Sequence, residues 1–354
     1  MSEAVAASRK PYLVELKAGR RYAWCACGRS RRQPFCDGSH AGTGFEPVTF
    51  IADADREALL CGCKRTGRAP ACDGSHNALA EAYEVAGADE IAATAAIPIT
   101  PRSPGRVAMS KLDGGCFVAT VDDARLPAVG GARLGPVIGA SDGAGFLSQW
   151  CLSAPPGTTG TFMFPGSDAV LFLPEGAVTV TISGRDFAVG RESGVFVRGG
   201  EAFRVRNPLD RPLRILLTVC PGCEQVRCLD AMPDDFAATP PNRVQCVDPS
   251  RREPMADRFY QVLHGAETGS REVTQFIGEI PRSRAAGHHH LYEEVIVILE
   301  GEGCMWTESA RAAVAPGDII FLPRKQLHSL ECTAESGMRL MGAFYPAGSP
   351  AVNY

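Results

Sequence analysis

Apolar residues recur along this chain in short runs cut by Gly and Pro, the pattern of many short strands rather than long helices. Near the front, YLVELKAGRRYAW (12–24) and EPVTFIADADREALL (46–60) predict strands. A second group follows: AVLFLPEGAVTVTISG (169–184), VFVRGGEAFRV (195–205) and LRILLTV (213–219). A third group repeats this alternation of short apolar runs and turns, with EVTQFIGEIPRS (272–283), EEVIVILEGEGCMWT (293–307), AAVAPGDIIFLPRKQLHSL (312–330) and MRLMGAFYP (338–346). The second and third groups echo each other. LFLPEGAVTV (171–180) matches IVILEGEGCM (296–305), and SGVFVRGGEAF (193–203) matches GDIIFLPRKQLH (317–328) with one residue of slippage. Two similar antiparallel β-barrels are the expectation. Between the first group and the barrels, NALAEAYEVAGADEIAA (77–93) predicts a short helix opening an Ala-, Ile- and Pro-rich linker.

The 354 residues exceed one core in most folds, so roughly two to four domains are expected. We divide them as 1–85, a linker 86–108, 109–250 and 251–354. A net charge of -4 gives no general reason to expect nucleic acid as a partner. The N-terminus has no secretory apolar core and no 18-residue apolar run occurs, so a cytoplasmic protein without membrane partners is expected. In a reducing compartment its 14 Cys are better suited to metal or redox chemistry than to structural disulfides.

Six of those Cys stand in a repeated motif. Residues 25–40 read CACGRSRRQPFCDGSH and residues 61–76 read CGCKRTGRAPACDGSH. Each copy offers three thiols and one imidazole, a soft donor set that suits iron–sulfur or zinc equally by ligand type. The full pattern, Cys-x-Cys-x2-Ser/Thr-x3-Pro-x-Cys-Asp-Gly-Ser-His, resembles the CDGSH iron–sulfur (NEET-type) family in both copies. The resemblance implies that Cys25, Cys27, Cys36 and His40 hold one [2Fe–2S] cluster, and Cys61, Cys63, Cys72 and His76 a second. It also implies an internal pseudo-dimer, and a His ligand whose protonation makes electron transfer and cluster loss pH-sensitive. Asp37 and Asp73 are expected to accept backbone N–H bonds in the turn after the third Cys.

Near the other end, GHHHLYEEVIVILEGEG (287–303) carries His288, His290 and Glu294, and APGDIIFLPRKQLHSL (315–330) carries His328. On a strand, residues two apart share a face, so His288 and His290 point together and His289 away. The pair of motifs resembles the cupin superfamily: His-x-His-x3-Glu-x6-Gly, then Pro-Gly-Asp and Pro-x4-His. The resemblance implies a double-stranded β-helix (jelly-roll) barrel in which His288, His290, Glu294 and His328 are both metal ligands and catalytic centre. Fe(II) is the expected metal, with Mn, Ni, Zn and Cu as the other candidates. In the echo, the same four positions are Met163, Pro165, Ala169 and Phe203, so the middle barrel is expected to be metal-free. The predicted fold class is mainly β: a small tandem CDGSH region followed by two cupin barrels.

Other residues are weaker candidates. Cys220, Cys223, Cys228 and Cys246 suggest either a zinc site, a redox dithiol or separate free thiols. Gln275, Arg282, Arg284, Trp306 and Tyr345 are candidates for the barrel mouth, where an Arg would clamp a substrate carboxylate. Fusing a one-electron carrier to an open metal site suggests an iron–sulfur-assisted non-haem iron oxygenase or oxidase, by analogy with oxygenases that pair a cluster with a mononuclear iron. Its expected partners are a small-molecule substrate, dioxygen and an external electron donor, with a homodimer allowed by the family. The alternatives are a redox or metabolite sensor without turnover, and a cupin isomerase or hydrolase with structural clusters.

Overall fold

A computed structural model describes residues 3–76, 85–105 and 107–351. Both long strand predictions near the front break in two at a turn. Tyr12–Leu16 pairs with Arg56–Leu60, and Arg21–Trp24 pairs with Val48–Ile51. Each copy of the motif is therefore entered from a strand whose partner belongs to the other copy, an interlaced pair of repeats. The period-2 burial of RYAW explains the small core, because Tyr22 and Trp24 turn inward while Arg21 remains exposed. Trp24 Nε1 donates to the Cys61 carbonyl at 3.0 Å, and the Lys64 ammonium lies 4.5 Å from the Trp24 ring centre, so the two motifs share one packed seam.

Two barrels follow. The middle one joins a sheet ordered 244–246, 193–197, 168–173, 213–220, 148–154, 132–138, 128–129 to a second sheet built on 178–182 and 202–207. The last one joins an eight-stranded sheet ordered 253–255, 258–264, 274–280, 338–345, 293–300, 318–322, 117–121, 107–111 to a three-stranded sheet. Two strands near the start of the segment 109–250 thus lie in the other barrel's sheet: Phe117–Val121 pairs with Asp318–Leu322, and Val107–Lys111 extends it. Chain order and sheet membership diverge at this point.

The large sheets pack face to face, and alternation sorts their side chains. In Glu293–Glu300, Val295 and Val297 face the inter-barrel core with Phe172, Phe196 and Leu216. Ile296 and Ile298 face the interior of the last barrel with Tyr292, Phe344 and Leu340. Glu293 is on the first face. Its carboxylate accepts the N–H groups of Gly145, Phe146 and Leu147 at 2.8, 3.0 and 3.0 Å, which fastens the middle barrel to the strand that carries the candidate site.

The segment expected to be a linker is hydrogen-bonded to the last barrel. Its helix spans Ala88–Thr94; residues 77–84 of the predicted helical stretch lie outside the described residues. Ala86 N donates to Arg284 O, Thr94 Oγ1 accepts from Arg284, and Glu90 Oε1 accepts from Gly287 N. Further on, Arg102 forms an ion pair with Asp318 at 2.5 Å.

Candidate metal centre and cluster motifs

His288 and His328 face each other across a two-way backbone bridge, with His288 N to His328 O at 3.0 Å and His328 N to His288 O at 2.9 Å. The His288 to Leu291 stretch is irregular, and the regular strand begins at Glu293. One ring nitrogen from each of His288, His290 and His328 lies within 4.8 Å of the others. Glu294 reaches the same place from the interior face of its strand, with Oε2 3.5 Å from His290 Nε2. The three imidazoles predicted from sequence therefore converge, and Glu294 lines the same cavity beside His290 without joining the set of mutually close donors.

The surroundings prepare them for a cation. His288 Nδ1 lies 2.9 Å from Ala286 O and His328 Nδ1 lies 2.8 Å from Gln326 O. A carbonyl only accepts, so Nδ1 carries the proton and Nε2 carries the lone pair. Burial, then the neighbouring His328, push His288 well below the ordinary imidazole value, and burial pushes His328 down to about 4. Both rings are neutral donors at neutral pH. Burial alone pushes Glu294 up to about 8. Three imidazoles and one carboxylate held this way fit a divalent transition metal.

The raised carboxyl makes metal binding pH-dependent. Without a cation Glu294 holds its proton below about pH 8, so the metal must displace it. Affinity is expected to rise about tenfold per pH unit up to that value and then flatten. The same group has the opposite sign in the stability of the metal-free protein. Its stabilising contribution is complete below the ordinary carboxylate range and is lost as pH rises through about 8. Metal titrations from pH 6 to 9 test this, with Glu294→Gln expected to flatten the profile; a pH-independent affinity in the unmodified protein would refute it.

The cavity at this site is small, about 70 Å³, so it suits a small ligand. Phe276, Tyr292, Ile296, Leu330 and Leu340 make its wall apolar. Tyr292 is stacked between His290 (4.4 Å) and Phe344 (4.1 Å), which holds the His290 ring in place. The mouth residues expected from sequence are elsewhere. Gln275 and Tyr345 lie on the opposite strand face from Phe276 and Phe344, toward the middle barrel. Arg282 pairs with Glu335, and Arg284 lies over Trp306 at 4.0 Å. The Arg in the cavity wall is Arg258, 4 % exposed, with Nη2 donating to Leu330 O at 3.0 Å. Its signal in the sequence is the alternation that sets Arg258 and Tyr260 on one strand face.

In the middle barrel, Ala169 pairs with Val197 and Val219 as Glu294 pairs with Leu322 and Phe344. The equivalent positions carry no imidazole or carboxylate, and Phe162, Phe164, Phe203 and Trp150 fill the interior with mutually packed rings. The Cys220, Cys223, Cys228 and Cys246 thiols do not gather into a zinc set. Cys220 Sγ points at Phe146 O, Cys223 Sγ at Gln225 O, and Cys246 Sγ accepts from Ser193.

In the front motifs the donor atoms meet in pairs. Cys25 Sγ and Cys27 Sγ are 3.7 Å apart, and Cys36 Sγ lies 3.1 Å from His40 Nδ1. The second copy repeats this, with Cys61 to Cys63 at 3.5 Å and Cys72 to His76 Nδ1 at 3.3 Å. Among the described residues only His288, His290 and His328 bring three ligand atoms within 4.8 Å of one another, so neither motif gathers one tetrahedral set. Two pairs match a binuclear cluster, one pair per iron, better than a single zinc ion. Asp37 accepts from Arg31 N and Ser39 N, and Asp73 from Gly67 N and Ser75 N, as expected of the turn carboxylates.

The copies differ in exposure. His40 has a quarter of its side chain exposed beside Glu46, whereas His76 is 3 % exposed and its Nε2 is buried without a hydrogen-bond partner among the described residues. Burial pushes His76 below the ordinary imidazole value. Cys72 and Leu59 pack into the apolar cluster containing Tyr260, Phe276, Tyr292 and Phe344. Arg68 pairs with Glu267 at 3.1 Å and Glu57 with Arg324 at 2.6 Å, closing the same junction.

Comparison with known proteins agrees with both ends. The family described as iron-binding zinc finger, CDGSH type, matches residues 5–41, and the cupin domain family matches residues 279–344. The mitochondrial CDGSH iron-sulfur domain-containing protein 3 of Homo sapiens is 51% identical over 57 residues, 16% of this chain and 45% of that protein. The match thus spans less than half the length of that relative. Among solved structures, protein Ylba from E. coli aligns with a TM-score of 0.51 at 16% identity, covering 66% of this chain and 92% of that one, which shows the shared fold. A salicylate 1,2-dioxygenase variant from Pseudoaminobacter salicylatoxidans aligns at 12% identity and TM-score 0.47, covering 62% and 76%. No helix among the described residues is long and apolar enough to cross a membrane. The chain is a fusion, with a CDGSH iron–sulfur region at its N-terminus and a cupin region at its C-terminus.

Proposed function

We propose that this protein is a non-haem iron cupin oxygenase or oxidase acting on a small molecule, with the CDGSH region passing electrons toward the cupin metal. The observation that carries this reading is the shared wall: Cys72 of the second motif packs into the apolar cluster that includes Tyr292, the residue stacked on His290. In this reading Cys25, Cys27, Cys36 and His40 hold one [2Fe–2S] cluster, Cys61, Cys63, Cys72 and His76 a second, and His288, His290, Glu294 and His328 hold Fe(II). Such clusters supply single electrons, and such an iron supplies open positions for dioxygen and substrate.

The protein's own groups do the rest. Ala286 O and Gln326 O orient two of the imidazoles. Arg258 offers a buried cation to an anionic substrate group, while Phe276, Tyr292 and Leu340 keep water away from it. Residues 1–85 form the electron-carrying unit, 109–250 a supporting barrel that lends Phe117–Val121 to its neighbour's sheet, and 251–354 the reacting barrel. Its 14 thiols, none in a disulfide, suit a reducing compartment such as the cytoplasm.

Protein purified without oxygen is expected to contain about five Fe and about four acid-labile sulfides per chain. Oxygen uptake is then screened with small carboxylic acids and phenols. About four Fe with one Mn, Zn or Ni would overturn the iron oxygenase and bring forward an isomerase or hydrolase. Substrate binding without oxygen uptake would favour a sensor.

A further inference from the structure

The interlaced repeats allow a like-for-like comparison of one surface. In the second copy, the face beside the third Cys and the His is covered by the last barrel. A Cβ on Gly74 would lie 3.2 Å from Ala351 Cβ and 3.3 Å from Ser349 Oγ, and Arg68 is paired with Glu267. In the first copy the same face is open. A Cβ on Gly38 would meet nothing within 4 Å, and Arg32, the counterpart of Arg68, is exposed with no ion pair among the described residues. Arg29 and Arg31 are exposed beside it, also without an ion pair there. The acidic groups on this face are Asp37, whose carboxylate is taken up by Arg31 N and Ser39 N, and Glu46 beside His40.

We propose that the Arg29, Arg31 and Arg32 face over Cys36 and His40 is the docking surface for a small acidic one-electron carrier protein. The proposal rests on the reading that the first motif holds a cluster. Charge complementarity selects the occupant: three guanidinium groups border the motif whose His ligand is open, and the equivalent Arg of the other copy already pairs with a carboxylate. The two copies then have different partners, an external one for the first and the cupin barrel for the second. The step is a single electron transfer, in which the reduced carrier loses one electron and the iron held by the first motif gains it.

The test uses the full-length, cluster-loaded protein and, as probe, an acidic flavodoxin in its anionic hydroquinone form, which loses one electron to become the neutral semiquinone. Stopped-flow absorption follows semiquinone appearance at several salt concentrations, for the natural protein and for Arg29→Glu/Arg31→Glu/Arg32→Glu. The expected result is a rate that falls with added salt, and that is at least about tenfold lower in the triple variant at low salt. Dithionite should reduce both proteins equally, and their sulfide content should match, which shows that the variant is intact. Equal flavodoxin rates in the two proteins, or no salt dependence, would overturn the proposal. So would a salt-sensitive dimer of the natural protein that the triple variant abolishes, because the face would then bind a second copy of this chain. Absence of acid-labile sulfide from the natural protein would instead sink the cluster reading, and is seen before any kinetics are run.

Discussion

Replacing His328 with alanine is expected to remove one metal ion per chain while leaving acid-labile sulfide unchanged. In the proposed centre three imidazoles and Glu294 supply the donors, and loss of even an outer-shell partner typically weakens a metal site by about 10–100-fold. Loss of a direct ligand should therefore cost at least about 100-fold in affinity. The fold should survive, because the bridge to His288 uses only backbone atoms, with N–H to O distances of 3.0 and 2.9 Å. Metal analysis after dialysis, together with circular dichroism, checks both halves. A full complement of metal in His328→Ala would remove this residue from the centre. A loss of both metal and secondary structure would mean that the side chain supports the barrel itself.

The second large effect is on stability and lies in the middle barrel. Arg243 is fully buried, and its guanidinium meets both carboxylate oxygens of Glu201 at 2.6 and 2.8 Å. It also donates to the carbonyls of Pro240, Phe196 and Ala237 and lies 4.8 Å from the Phe236 ring centre. Arg243→Ala should cost about 3–5 kcal/mol, since it leaves a buried carboxylate without its cation and three carbonyls without donors. The Glu201→Gln/Arg243→Met pair should recover much of the loss, because the uncompensated charge is gone. Denaturant midpoints of the natural protein and the two variants measure this; an Arg243→Ala protein within about 1 kcal/mol of the natural one would show that the ion pair is dispensable.

Much of the candidate chemistry was legible because it is written in local spacing. The two Cys-x-Cys…Cys-x3-His copies and the His288, His290, Glu294 and His328 pattern each depend on a turn or a strand alternation that short sequence fixes. The echo between the barrels was legible for the same reason, down to Ala169 standing where Glu294 stands. Long-range relations were not. Nothing near Arg68 shows that it meets Glu267, and nothing near Gln275 shows which barrel its strand face addresses. Arg258 was missed because a single charge on a short strand reads as solvent-facing until its partners are known. The contrast between half-buried His40 and sealed His76 was hidden altogether, since the two motifs share their ligand residues and spacing and differ in what the rest of the chain lays over them.

The pairing of Phe117–Val121 with Asp318–Leu322 has a consequence for synthesis on the ribosome. Thr120 and Asp318 are ladder partners separated by 198 residues. The hairpin of Val107–Lys111 and Phe117–Val121 therefore emerges long before the strand it borders, and waits with an unpaired edge while the middle barrel is made. The last barrel's large sheet cannot be completed until Met338–Tyr345 has been made, which makes it a slow, non-local step. A nascent chain halted before residue 318 should expose that edge to chaperones. Residues 251–354 expressed alone should aggregate through the bare edge of Asp318–Leu322, and adding 107–121 in trans should suppress it.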